Sequence, residues 1–170
     1  MSIPKDILLK VQNTLRDLVR DDWTCAKMVF WLKGSIEHQN TPNDPRMISA
    51  WQASIDFIFR CFSAGLIEII NHDHYSDQNA LLDDLRSCNP FDRSAGVRAG
   101  DYAWNGIFIC GTESLDLIVK RFFQNDDEDA TNVNGSFVAA IEGVFEEAGV
   151  PWSGKPLLPV FSSPTSPAQR

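Results

Sequence analysis

A long amphipathic helix is encoded by residues 44–66, which read DPRMISAWQASIDFIFRCFSAGL. Large apolar side chains recur in it at alternating spacings of three and four residues: Ile48, Trp51, Ile55, Ile58 and Phe62. That spacing places them on one side of a helix with about 3.6 residues per turn. We therefore expect this stripe to lie in the core and the other elements to pack around it.

Both ends of this helix carry local signals. Asp44 is a favourable cap residue, and Pro45 suits the first helical turn, where its missing N–H is not needed. At the other end, Gly65 stands where a left-handed residue commonly ends a helix, and Leu66 can pack back on the last turn as in a Schellman motif. The sequence therefore predicts a helix that begins after Asp44 and ends before Gly65.

Amphipathic periodicity predicts further helices on both sides of this one. They cover residues 4–20, 23–33, about 76–85, about 112–122 and 135–148, with Ser76 and Thr112 as the expected caps of two of them. Residues 23–33 are apolar on nearly all sides, so a buried strand competes with a helix there. Residues 66–70 fit either a short helix or an extended segment, and residues 104–110 fit a strand or the start of a helix.

These elements predict a mainly all-α fold, a compact bundle of five to six amphipathic helices with one possible small β element near residues 104–110. A chain of 170 residues fits one domain. We place this helical domain at residues 1–152. Residues 153–170 are rich in Pro and Ser, and we expect them to form a partly disordered tail.

The chain is acidic, with 23 Asp and Glu against 15 Lys and Arg and a formal net charge of −8. This charge opposes binding to nucleic acid or to an anionic membrane surface, because those ligands attract clustered cations. No apolar run approaches the roughly 20 residues of a membrane-spanning helix, and no targeting segment is visible, so we expect a soluble, cytoplasmic protein. An acidic surface favours association with a basic protein.

Two groups of residues could carry chemistry. His72, Asp73 and His74 are the densest set of possible metal ligands, but further ligands would have to come from elsewhere, and a polar loop is the simpler interpretation. Cys110 could be a thiolate activated by the helix after it, although a structural thiol is the commoner role of cysteine. We therefore predict no catalytic residues, no metal, no cofactor and four reduced cysteines.

The acidic residues are concentrated in the last third of the chain. Residues 113–147 contain nine acids and two bases, a net charge of −7. Such asymmetry can steer a cationic partner, although a solvated helix pair and an acidic surface loop produce the same pattern. The acids that we select as candidate partner-binding residues are Glu113, Asp116, Asp126, Asp127, Glu128 and Asp129.

In its size, helical build, acidity and lack of a catalytic motif, the chain resembles the immunity proteins of bacterial contact-dependent inhibition and other polymorphic toxin systems. The passages that carry this likeness are WQASIDFIFR at residues 51–60, GLI at 65–67 and WNGIF at 104–108. The resemblance implies a cytoplasmic inhibitor that binds and blocks a cognate toxin, often a nuclease with a basic active-site cleft. It assigns no individual site residue.

Two other functions remain open on the sequence. A metal-dependent enzyme would use His72, Asp73 and His74 to bind zinc or iron. A non-catalytic helical adaptor domain would self-associate through exposed aromatic side chains. The acidic last third of the chain and the missing catalytic motifs favour the inhibitor over both.

Overall fold

The computed structural model describes residues 5–32, 44–70, 75, 77–91, 99–124, 131–153 and 155–161. In chain order, their elements are α1 (Lys5–Leu18), β1 (Trp23–Thr24), α2 (Cys25–Leu32), α3 (Pro45–Ser63), β2 (Ile67–Ile69), α4 (Gln78–Ser87), α5 (Ala99–Asn105), β3 (Phe108–Gly111), α6 (Glu113–Phe122) and α7 (Gly135–Glu147). None of these helices is long and apolar enough to cross a membrane.

The mainly helical fold is confirmed, and the β element is larger than expected. The described residues form seven helices together with a three-stranded sheet. A compact bundle of five to six helices is therefore not confirmed. Three segments that are distant in sequence meet in the sheet, and their pairing cannot be read from any one of them.

Helix α3 runs through the core, as its apolar stripe predicts. Ile48, near its start, is half-buried. The other four residues of the stripe are buried: Trp51, Ile55, Ile58 and Phe62. Asp44 caps the helix, because its carboxylate accepts the backbone N–H of Arg46 at 2.8 Å. The predicted cap and the predicted core stripe are both confirmed.

The end of α3 is a Schellman motif. Leu66 donates its backbone N–H to the carbonyl of Cys61 at 2.8 Å, and Gly65 donates to the carbonyl of Phe62 at 3.0 Å. Gly65 has a φ of +64°, which a residue without a Cβ adopts most readily. The motif leads the chain directly from α3 into β2.

The sheet is antiparallel with the strand order β1-β3-β2. The Cα partners are Trp23–Ile109 and Thr24–Phe108 on one side of β3, and Ile67–Gly111, Glu68–Cys110 and Ile69–Ile109 on the other. The extended interpretation of residues 66–70 is confirmed. Residues 104–110 contain most of β3, which confirms the strand alternative, and the helical residues before it are the end of α5 and not the start of a helix.

Two local predictions need correction. The helix predicted at residues 23–33 begins at Cys25, because residues 23 and 24 pair with β3 as β1. The cap of α4 is Asp77, not Ser76, since the Asp77 carboxylate accepts the backbone N–H groups of Asn79 and Ala80 at 2.7 and 3.0 Å. Both errors are small displacements of real elements.

Side-chain hydrogen bonds connect the first and last parts of the fold. The buried amide of Gln12 on α1 donates to the carbonyl of Asn132 at 3.0 Å and accepts the N–H of Asn134 at 2.7 Å. Asn134 in turn caps α7, because its side chain accepts the N–H of Phe137 at 3.1 Å. Gln12 therefore fixes the start of α7 against α1.

The chain runs back across the helices after α7. The ring of Trp152 lies near those of Phe57 and Phe145, with centroid distances of 6.2 and 6.0 Å. Further along, three apolar side chains are half-buried against the core: Leu157, Leu158 and Val160. The predicted domain boundary at residue 152 thus falls inside a segment that contacts the helices. Residues 162–170 lie outside the described residues.

Candidate protein-binding surface

The predicted acidic site begins in the first turn of α6. Glu113 is exposed there and Asp116 is half-buried. Asp116 forms an ion pair with Lys120, with 2.5 Å between the carboxylate oxygen and the ammonium nitrogen. Acids in the first turn also interact favourably with the helix dipole. The stability of α6 therefore accounts for much of the role of Asp116, and Glu113 is the better placed of the two to meet a partner.

The remaining predicted acids lie outside the described residues: Asp126, Asp127, Glu128 and Asp129. Their part in binding stays a prediction. The outward side of α6 is not uniformly acidic, because Lys120 and Arg121 are exposed in its last turn. Between the charges of the two ends lies Leu117, which is 62% exposed.

A second candidate surface, which sequence reasoning missed, is the outer face of the sheet. Side chains alternate between the two faces of a strand. One face is turned toward the core, and its side chains are buried: Trp23, Ile67, Ile69 and Ile109. The opposite side is here called the outer sheet face and comprises Thr24, Glu68, Ile70, Phe108 and Cys110.

Two large apolar side chains lie next to each other on the outer sheet face. Phe108 and Ile70 are each 42% exposed. The backbone N–H of Ile70 donates to the carbonyl of Phe108 at 3.0 Å, which makes the two residues cross-strand neighbours. The Cβ atoms of such neighbours are about 4.5–5.5 Å apart, so their side chains form one patch. Adjacent exposed apolar groups on a fixed backbone make this patch a candidate protein-binding surface.

Carboxylates border this apolar pair. Glu68 pairs with Cys110 across the sheet, and the Cys110 Sγ lies 3.9 Å from the Glu68 Oε1 as a weak donor. The pKa of Cys110 is raised, first by partial burial and then by the charges of Glu68 and Asp22. Asp22, which is exposed just before β1, therefore also lies close to the outer sheet face.

These neighbours contradict the activated-thiolate interpretation of Cys110. Thiolates are stabilised by nearby cations or by a helix N-terminus, whereas carboxylates and burial favour the neutral thiol. Cys110 is half-exposed and contributes a neutral side chain to the face. The other three cysteines are buried, and all four are free, as the sequence predicts: Cys25, Cys61, Cys88 and Cys110.

The predicted metal cluster of His72, Asp73 and His74 lies outside the described residues. Within the part of the chain that the structure describes, no group of three or more His, Cys, Asp or Glu side chains could hold a metal ion. Tyr75, directly after the cluster, is buried and donates its hydroxyl to Asp84 at 2.8 Å. Burial and Asp84 raise the pKa of this hydroxyl, so it stays neutral and attaches the segment to α4.

A shallow apolar depression lies between α1 and α7. The space that it encloses is about 10 Å³, far below the roughly 300–1,000 Å³ of typical small-molecule pockets. It is lined by Leu8, Val11, Phe137, Val138, Ile141, Glu142 and Trp152. One carboxylate among apolar side chains offers little for substrate chemistry, and we regard the depression as a packing gap.

A sequence signal for the outer sheet face exists, but it is short. Residues 67–69 read Ile-Glu-Ile, an apolar and polar alternation, whereas residues 107–110 read Ile-Phe-Ile-Cys, an unbroken apolar run. Alternation over three or four residues does not distinguish a strand from part of a helix. The surface could be recognised only after the register between β2 and β3 was known.

Comparison with known proteins yields no relative. No family model, no curated protein and no solved structure matches the chain. Function is therefore inferred from the residues of the α6 surface and of the outer sheet face.

Proposed function

We propose that this protein binds a basic protein domain and neutralises it, as the immunity protein of a bacterial toxin does. The observation that carries the proposal is the outer sheet face, where Phe108 and Ile70 are exposed beside the carboxylates of Glu68 and Asp22. Interfaces commonly have an apolar centre and a charged rim. The negative sign of this rim favours a cationic partner.

The sheet holds this surface in a fixed geometry. Strand β3 is paired on both sides. Thr112 N–H also donates to the carbonyl of Leu66 at 3.0 Å, which ties the start of α6 to the start of β2. A surface that is fixed before binding loses less conformational entropy on association than a flexible one. Phe108 and Ile70 therefore suit the role of central anchors.

This charge pattern supports a role in blocking a nuclease. A nuclease presents cationic side chains to the phosphates of its substrate. Carboxylates docked against such a cleft occupy the positions of those phosphates, and the body of the inhibitor excludes the nucleic acid. Glu113 adds to the negative charge near this surface, because it is exposed at the start of α6, which directly follows β3. The charges then govern the rate of capture, and the apolar pair governs the lifetime of the complex.

The proposal predicts that a gene beside this protein's own encodes a toxin domain, and coexpression with that domain tests it. We expect a one-to-one complex, loss of toxin activity and survival of the cells. The double substitution Phe108→Asp and Ile70→Asp should abolish protection while the isolated variant keeps its circular dichroism spectrum. Unchanged protection by this variant would exclude the outer sheet face, and absence of any complex would contradict the inhibitor function.

The same apolar pair gives the adaptor alternative a specific form, in which two copies associate through their outer sheet faces. Light scattering over a wide concentration range separates the two functions. A dimer that disappears with Phe108→Asp would support the adaptor. A monomer at all concentrations would leave the surface available for a different protein.

A further inference from the structure

The C-terminal strap, residues 155–161, is held by side chains that contact its backbone. Asp56 on α3 accepts the N–H groups of Leu157 and Leu158 at 2.9 and 3.1 Å through one carboxylate oxygen. One turn earlier on the helix, Gln52 accepts the N–H of Val160 at 2.9 Å and donates to the carbonyl of Leu158 at 3.0 Å. Two side chains of α3 therefore satisfy four backbone groups of a segment that bends at Leu157 and Leu158.

Helix α4 holds the other end of the strap. Arg86 donates its Nε–H to the carbonyl of Pro159 at 3.1 Å, and its own carbonyl accepts the N–H of Phe161 at 2.9 Å. The guanidinium also lies over the Phe161 ring, 4.1 Å from the centroid. Gln52, Asp56 and Arg86 thus form the polar wall of a cleft, here called the α3–α4 groove.

The polar contacts of the groove are made with peptide backbone and not with particular side chains. Every hydrogen bond above joins a groove residue to the strap's backbone, which any peptide shares. The donors all come from residues other than proline, while Pro156 and Pro159 fix their own φ angles and restrict the residues before them. A segment with fewer accessible conformations loses less conformational entropy when it binds. Specificity then comes from the apolar side chains half-buried on the core.

The chain is anchored separately just before the strap. Arg60 donates its Nη2–H to the carbonyl of Pro151 at 3.2 Å, and the rings of Phe57 and Phe145 contact Trp152. The strap can therefore leave the groove without loss of the anchor at residues 151 and 152. When the strap leaves, the buried carboxylate of Asp56 loses two N–H donors. This loss favours binding of another peptide in place of the strap.

We propose that the α3–α4 groove is a binding site for a proline-containing peptide of a partner protein, bound in the bent conformation of the strap, and that the strap occupies this site in cis. Binding in trans then requires displacement of the strap. Because the groove and the outer sheet face share no residue, this proposal stands independently of the proposed inhibitor function.

A fluorescent peptide of sequence KPLLPVF, identical to residues 155–161, tests the groove with the full chain. In the wild type the tethered strap competes at an effective concentration of about millimolar, so the peptide should bind weakly. Leu157→Asp with Leu158→Asp places two acids beside Asp56 and should release the strap. We expect the peptide to bind this release variant at least about tenfold more tightly than the wild type.

Three controls assign that binding to the groove. Adding Asp56→Ala to the release variant should weaken binding by about tenfold or more, since the peptide amides lose their charged acceptor. A peptide that is N-methylated at both leucines keeps its side chains but lacks the two N–H donors to Asp56. It should bind the release variant as weakly as the unmodified peptide binds the variant with Asp56→Ala. Phe108→Asp on the outer sheet face should leave peptide affinity unchanged. No binding by a folded release variant, or binding that is independent of Asp56, would overturn the proposal.

Hydrogen exchange on the wild type gives a second readout that needs no release variant. Saturating KPLLPVF peptide should accelerate exchange at the strap amides of Leu157, Leu158 and Val160, because the displaced strap becomes exposed to solvent. The N-methylated peptide should have no such effect. Unchanged exchange at saturating peptide would also overturn the proposal.

Discussion

The indole Nε1–H of Trp51 on α3 donates a hydrogen bond to the backbone carbonyl of Leu85 on α4, with 3.0 Å between nitrogen and oxygen. Trp51 is 2% exposed, and Leu85 is also buried. The bond therefore joins the central helix to the helix beside it at a point that water does not reach. The indole therefore contributes a buried hydrogen bond in addition to its apolar packing.

Trp51→Ala should lower the free energy of unfolding by about 3–5 kcal/mol, because it leaves a large cavity and an unsatisfied carbonyl. Trp51→Phe keeps most of the apolar volume, removes the donor and should cost about 1–3 kcal/mol. Urea denaturation followed by circular dichroism measures both losses. A loss below about 1 kcal/mol for Trp51→Ala would be incompatible with a core position.

Phe108→Ser should shorten the lifetime of the complex with the toxin domain and leave stability nearly unchanged. An apolar anchor at the centre of an interface contributes about 2 kcal/mol or more, which corresponds to dissociation about thirtyfold faster. Surface plasmon resonance measures the rate. Leu117→Ser on α6 is the matched control, since Leu117 is the more exposed side chain. Equal effects of the two substitutions would argue against a localised interface.

Charge substitutions should alter association rather than dissociation. Neutralising the acids of residues 126–129 together should slow capture by about an order of magnitude at low salt, and Asp22→Asn with Glu68→Gln should slow it several-fold. The effect should shrink at about 1 M salt, where the screening length is about 3 Å. Stopped-flow fluorescence gives the rates.

The control for position is Glu146→Gln with Glu147→Gln, since both acids are exposed on α7. We expect this pair to have a smaller effect per charge. The three sets of substitutions are those at residues 126–129, at Asp22 with Glu68, and at Glu146 with Glu147. If each set slows association in proportion to the charge removed, net charge alone steers the partner and no local acidic site exists.

Two truncations should show that the strap stabilises the fold and that the residues after it do not. A chain that ends at Phe161 should keep the melting temperature of the full chain, because the residues removed include no apolar side chain larger than Ala or Pro. A chain that ends at Ser153 should lose at least about 2 kcal/mol, because the buried Asp56 loses two N–H donors. Calorimetry distinguishes the two. Equal melting temperatures would show that the strap adds no stability.

Alkaline pH should destabilise the fold through its buried thiols. Burial raises the pKa of Cys25 to about 12, whereas a thiol in the unfolded chain ionises near pH 8.5. The neutral thiol's contribution is therefore complete below about pH 8.5 and is lost as the pH rises toward 12. Urea midpoints should fall more steeply above about pH 9 in the wild type than in Cys25→Ala. Parallel pH profiles would show that this thiol does not control the alkaline transition.

Local signals made α3 predictable from the sequence. Asp44, Gly65 and Leu66 act on groups within a few residues of themselves, and the spacing of the apolar stripe follows from helix geometry alone. Thr112 belongs to the same class, since it caps α6 by accepting the N–H of Leu115. Of the candidate binding residues, Glu113 and Asp116 are found together in the first turn of α6 because they are near neighbours in sequence.

Tertiary structure alone decided the features that depend on distant partners. Residues 23 and 24 become a strand because β3, about 85 residues later, supplies their hydrogen bonds. Asp56 becomes a peptide acceptor because the strap returns from about 100 residues away. The outer sheet face exists only through the register of β1, β3 and β2. Nearly every residue carries the same backbone donor and acceptor, and these groups must be paired when they are buried. The sequence therefore requires the pairing, but only the packed chain determines which groups are partners.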